Sequence, residues 1–202
     1  MKLRRVARSI TLSQIFLYGG LVTCVIIRPA GLGANNGISY YGANAGTFFP
    51  FAIALLGAAY FTVRAIGQLD ADKSPVIRTA LKIYVPLIVG IVITPYSAGR
   101  YMDYLHTACG AALFFLQLVL SGWLVRQLYF AWWAIGLAVL EFIGGILSAI
   151  YLLPTQGFLL QAQVLFQLSF GVLLILSLQL GPARRAAAYR RQNQRPPKTQ
   201  NS

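Results

Sequence analysis

The stretch 130–152, FAWWAIGLAVLEFIGGILSAIYL, carries one formal charge, Glu141, in 23 residues. About 20 apolar residues suffice for a helix to cross a hydrocarbon core of about 30 Å, so this segment reads as a transmembrane helix. Apolar runs of comparable character lie at 10–28, 48–67, 80–96, 105–123 and 158–180. The third is the shortest and contains Pro86, which predicts a kink. Pro is tolerated inside a membrane helix where neighbours re-satisfy the freed carbonyl. The fifth and sixth runs are separated by little more than Pro154-Thr155-Gln156-Gly157, a tight reversal between antiparallel neighbours.

Composition points the same way. Of 202 residues, 57% are hydrophobic and 10% charged, with mean hydropathy +0.65, whereas soluble domains carry about 25% charged residues. The net charge of +13 does not indicate a nucleic-acid partner. Such proteins gather Lys and Arg on one folded face, and here they flank apolar runs. The fold expected is therefore all-α: a polytopic six-transmembrane-helix bundle over 1–181, followed by a basic, disordered tail over 182–202.

Charge asymmetry sets the orientation. With both termini cytoplasmic, that side receives Lys2, Arg4, Arg5, Arg8, Arg64, Lys73, Arg78, Lys82 and Arg126, then Arg184, Arg185, Arg190, Arg191, Arg195 and Lys198 of the tail. Arg28 and Arg100 alone fall outside. This is the positive-inside pattern, and an odd number of spans would place one basic terminus outside. The first span follows a basic start and outruns a signal-peptide h-region, so it reads as an uncleaved anchor. A multi-pass protein of a bacterial plasma membrane is expected. Its partners are membrane lipids, with anionic headgroups at the basic tail, and a homodimer would offset its small size.

Tyr129, Trp132 and Trp133 stand at one end of the fifth span, Tyr151 at the other, and Tyr96, Tyr101 and Tyr104 in the loop before the fourth. This is an interfacial aromatic belt. Cys24 and Cys109 lie in or beside apolar stretches without metal-ligand spacing and read as small packing residues. No motif calls for a metal or a cofactor, and no G-x-S-x-G, H-E-x-x-H, P-loop or CxxC pair occurs.

Two regions carry potential chemistry. Glu141 stands at mid-span, where an ionisable group is expensive and by default functional. Gly144, Gly145 and Ser148 share its face and admit a close neighbour. Gln117 is the partner expected by depth, with Gln163 and Gln167 as further candidates. No basic side chain matches that depth, so a neutral carboxyl is expected rather than an ion pair. The second region is extracytoplasmic. The first outer loop, from Pro29 to Thr47, has no charge and is rich in Gly and Asn, the chemistry of turns. The loop before the fourth span supplies Arg100, Asp103 and His106, the chain's one histidine. Ser39 reaches His106 only if the first loop folds back. In that case His106 is a candidate base, since a hydrolase needs a nucleophile within hydrogen-bond reach of one.

Gly37-Ile-Ser-Tyr-Tyr-Gly42, Thr94-Pro-Tyr-Ser97 and Tyr104-Leu-His-Thr-Ala-Cys-Gly-Ala-Ala-Leu-Phe-Phe115 together resemble the DRAM/Sfk-type six-span membrane proteins and their small bacterial relatives. The shared features are an I-S-x-x-G outer loop, a proline closing the third span and a histidine opening the fourth. On this chain they fall on Ser39, Gly42, Pro95 and His106. The resemblance implies six spans and a role in lipid distribution or membrane trafficking rather than a defined enzyme activity. The leading expectation is a protein that binds lipid or a hydrophobic ligand in the outer half of the bundle, through Ser39, Arg100, Asp103, His106, Gln117 and Glu141. The alternatives are a small proton-coupled transporter using Glu141, and a membrane hydrolase with His106 as base.

Overall fold

The computed structural model describes residues 2–33, 37–70, 74–150 and 158–193, with side chains from 3 to 180 within those ranges. The 154–157 reversal and the lipid-binding role of the basic tail fall outside the described side chains. Six long helices carry the fold: α1 (Lys2–Ile27), α3 (Ala45–Gln68), α4 (Pro75–Ile93), α5 (Arg100–Gln127), α6 (Trp132–Ile150) and α7 (Leu159–Asn193). A one-turn helix, α2 (Ser39–Gly42), and two 3-10 turns (Pro29–Gly33 and Tyr96–Ala98) sit in the connections. No strand occurs among the described residues. Each long helix is long and apolar enough to cross a membrane, and the chain is a multi-pass membrane protein.

The helix ends depart from the apolar runs in an instructive way. The basic segment before residue 10 is already helical in α1, because Lys and Arg are good helix formers and snorkel from a helix end. Pro75 opens α4 at its first position, where a missing N–H costs nothing. The third span thus begins five residues earlier than hydropathy alone suggests, and it runs as one helix through Pro86. Pro95 follows the end of α4, as expected of a residue that disfavours helix in its predecessor. The last helix continues to Asn193, so the tail expected to be disordered from 182 is helical at its start.

The helices pack in a closed ring, each against the next in sequence, with α7 returning to α1 and also crossing to α5. Half of the apolar stretch of α7 is buried, against 22% for α6, so α7 is the central helix and α6 faces lipid. Between lipid-embedded helices the association comes from close packing and hydrogen bonds rather than the hydrophobic effect. The α1–α3 seam illustrates this. Ser13 Oγ donates to the Ala58 carbonyl at 2.9 Å and lies 3.2 Å from Thr62 Oγ1. Buried Ala54, Ala58 and Ala59 keep the two backbones close. On α6, Gly144 does the same against α7: a Cβ there would meet the Phe166 nitrogen at 2.7 Å and the Ala162 oxygen at 2.9 Å.

With six spans, the start of α1 and the end of α7 share one face of the bundle, the terminal face. The opposite, distal face carries the 29–44 connection, the 94–99 connection and the start of α5.

Candidate functional site at the distal face

The site begins where α4 stops. Thr94 leaves the helix with ψ 66°, and in the turn that follows Ala98 N–H bonds the Pro95 carbonyl instead. The Thr94 carbonyl is therefore free for a side chain, as terminal helix carbonyls are. His106, six residues into α5, takes it: Nδ1 lies 2.8 Å from Thr94 O. A carbonyl only accepts, so Nδ1 carries the hydrogen. A neutral imidazole then presents a bare Nε2.

The first connection folds back onto that nitrogen. Gly37 adopts φ +56°, a conformation that favours glycine, and it abuts the Gln163 side chain of α7 so closely that a Cβ would collide. Gln163 Oε1 accepts the Ile38 N–H at 2.7 Å, and Gln161 Nε2 donates to the Leu32 carbonyl at 3.1 Å. Beyond α2, Asn44 Nδ2 donates to the Tyr40 carbonyl at 2.6 Å and Thr47 Oγ1 to the Tyr41 carbonyl at 2.8 Å. The Tyr41 ring is fully buried under the connection. Held at both ends, α2 places Ser39 Oγ 2.7 Å from His106 Nε2. The fold-back on which the Ser39–His106 pairing depended is present, and in the neutral tautomer with its hydrogen on Nδ1 the ring accepts from Ser39.

Around this pair lie two phenols, a cation and a carboxylate. The Tyr96 ring stands edge-on to His106, centroids 6.0 Å apart. Burial, with Tyr40 and Asp103 alongside, raises the Tyr96 phenol above its ordinary value, so it remains a hydrogen-bond donor at neutral pH. Arg28 Nε donates to Tyr40 Oη at 2.7 Å, and the guanidinium carbon lies 5.6 Å from that ring's centroid. Asp103 lies in the first turn of α5 and is exposed. Arg100 turns the other way, bonding Tyr104 Oη through Nε and Nη2 at 3.2 Å each. Of the two cations, Arg28 is thus the one held on the folded-back connection, through Tyr40, the residue after Ser39.

Gln117 and Glu141 belong to a separate, mid-depth group. Gln117 of α5 exchanges amide hydrogen bonds with Gln167 of α7 at 2.8 and 3.0 Å, and it donates to Tyr84 Oη at 3.3 Å. Glu141 is fully buried, but Gln117 is committed elsewhere and does not pair with it. The Ser121 hydroxyl faces the carboxyl without reaching hydrogen-bond geometry. Both Glu141 oxygens and Ser121 Oγ consequently lack a partner among the described residues, as do Gln14 Oε1 and Tyr18 Oη of α1.

No family model, curated protein or solved structure matches this chain. What the site can do therefore follows from its own geometry.

Several contributors have no signature in the sequence. The Thr94 carbonyl has no side-chain signature. Gln163, a candidate partner for Glu141, stands four residues from the start of α7, at loop depth, and bonds the Ile38 amide instead. Counting its distance from the helix end identifies it as a loop clamp.

Proposed function

We propose that the protein binds a membrane amphiphile at its distal face, which is extracytoplasmic with both termini in the cytoplasm. The orientation rests on the charge census: fifteen of the seventeen basic residues then lie inside. Arg28, seated on Tyr40, supplies the cation for an anionic headgroup, and the Tyr96 and Tyr40 phenols and Asp103 supply polar contacts. Exposed Ile26, Ile27, Ile93 and Leu105 offer an apolar wall for the chains just below. The observation that supports the reading is the folded-back connection, which sets Ser39 against His106 beside the Tyr96 ring and carries Arg28 on the neighbouring Tyr40. The interior in that half is packed with Leu21, Tyr41, Phe51, Ile88, Val92 and Leu113. The ligand accordingly sits against the face of the bundle rather than inside it. A DRAM/Sfk-type affiliation and a bacterial plasma-membrane location are consistent with this role.

Native mass spectrometry of gently extracted protein tests the reading. Wild type should retain a phospholipid mass that Arg28→Gln loses and Arg100→Ala keeps. Wild type free of lipid, or equal retention in Arg28→Gln, would sink it.

The unpartnered Glu141 and Ser121 favour a second role, proton coupling through the bundle. Unsatisfied buried polar groups are few in native proteins, and intramembrane carboxyls mark proton relays. In reconstituted vesicles, Glu141→Gln should abolish a pH-driven proton flux present in wild type; no wild-type flux removes this role.

A further inference from the structure

We infer that Ser39 is an activated nucleophile with His106 as its general base, making the protein a serine-dependent hydrolase of carboxylic esters. The substrate class, an acyl ester of an anionic membrane amphiphile, rests on the lipid-binding reading above; the nucleophile itself does not.

Three geometric facts carry the inference. The Ser39 hydroxyl lies 2.7 Å from Nε2, within the reach a base needs. The opposite nitrogen lies 2.8 Å from the Thr94 carbonyl. That contact fixes the tautomer and offers an acceptor to the Nδ1–H of the imidazolium that forms, the orienting role of the third member of a triad. The pair is also half-buried and clamped by Gln163, Asn44 and Thr47 rather than left on a free loop.

Position matches the substrate. Arg28 is bonded to Tyr40, the residue after Ser39, and His106 sits at the end of α4 on the Thr94 carbonyl. A headgroup phosphate at Arg28 therefore brings the ester bonds, which join headgroup to chains, to the neighbourhood of Ser39.

The reaction balances with water alone. Ser39 Oγ attacks the ester carbonyl carbon while its proton passes to Nε2. The tetrahedral adduct collapses, the C–O bond to the alcohol breaks, and His106 returns that proton to the leaving alkoxide. Water then attacks the acyl-serine, giving a proton to Nε2. The acyl–Oγ bond breaks, the proton returns to Ser39, and a carboxylic acid departs.

A fluorophosphonate probe, which bonds an activated serine through phosphorus with loss of fluoride, tests this on the full chain in lipid nanodiscs. Peptide mass spectrometry should place the probe on Ser39. His106→Ala should slow labelling by about a hundredfold or more, the range of a lost general base, and Ser39→Ala should abolish it. To separate chemistry from folding, each variant must keep the wild-type Tm. Ser39→Cys should also alkylate with iodoacetamide faster than Ser39→Cys/His106→Ala. Folded wild type unlabelled at Ser39, together with equal alkylation of the two cysteine variants, would reduce the contact to a loop latch and overturn the proposal. Labelling without lipid retention would instead sink the lipid reading and leave the nucleophile standing.

Discussion

Gln117 of α5 and Gln167 of α7 hold each other by two reciprocal amide hydrogen bonds, 2.8 and 3.0 Å long, in the interior of the bundle. Hydrocarbon offers no alternative partners, so truncating one amide strands the other. Gln117→Leu should destabilise the protein by about 1 kcal/mol, within the range seen for interhelical hydrogen bonds in membranes. Thermal unfolding in detergent measures it. Gln117→Leu combined with Gln167→Leu should cost less than the sum of the single changes, because neither amide is then left alone. Strict additivity would show that the pair does not act as a unit.

At Gly144, α6 lies directly against the α7 backbone. A Cβ at this position would press on the α7 backbone at Phe166 and Ala162, which cannot move aside as a side-chain tip can. Gly144→Ala should therefore lose about 1–3 kcal/mol, the usual cost of overpacking. Gly136, on the same helix with open space around it, is the control: Gly136→Ala should be neutral or slightly stabilising, Ala being the better helix former. Equal losses at both positions would mean that α6 and α7 are not in contact as described.

Glu141 should be dispensable for stability. Its carboxyl is buried with Ser121 nearby and no partner in hydrogen-bond geometry among the described residues, and an unsatisfied buried group costs about 1–3 kcal/mol. Glu141→Met should leave Tm unchanged or raise it. A clear fall in Tm would reveal a bond that holds the carboxyl in place. Stability kept while proton flux is lost would mark Glu141 as functional rather than structural.

Gln163 anchors the folded-back connection through the Ile38 amide. Gln163→Ala removes that acceptor, worth about 1 kcal/mol. Hydrogen exchange at Ile38 should then accelerate by roughly tenfold, with exchange in the α1–α3 seam unchanged. No acceleration would show that the connection is held by other means.

The six spans were legible because apolar length is a local property, read without knowing any neighbour. Helix ends were less so, since Lys2–Arg8 and Pro75 extend helices into polar sequence that hydropathy scores as loop. At the site, Ser39 and His106 are legible as residue types, but their meeting depends on a fold-back across 67 residues that local patterning does not reveal. Arg28 was overlooked in favour of Arg100, because proximity along the chain placed Arg100 with Asp103 and His106. In space Arg100 bonds Tyr104, and Arg28 arrives from the end of α1. Gln117 was matched to Glu141 by depth. Helical periodicity tells which residues share a face but not which neighbour that face meets.

The central claim is that an amphiphile docks at the Arg28–Ser39–His106 face. A phospholipid with a photoactivatable group beside its glycerol measures this directly, by cross-linking in nanodiscs and peptide mapping. Cross-links concentrated within 28–44 and 96–106, and reduced by Arg28→Gln, are the predicted result. Cross-links spread evenly over lipid-facing residues such as Phe49, Val119 and Trp132, unaffected by Arg28→Gln, would contradict it.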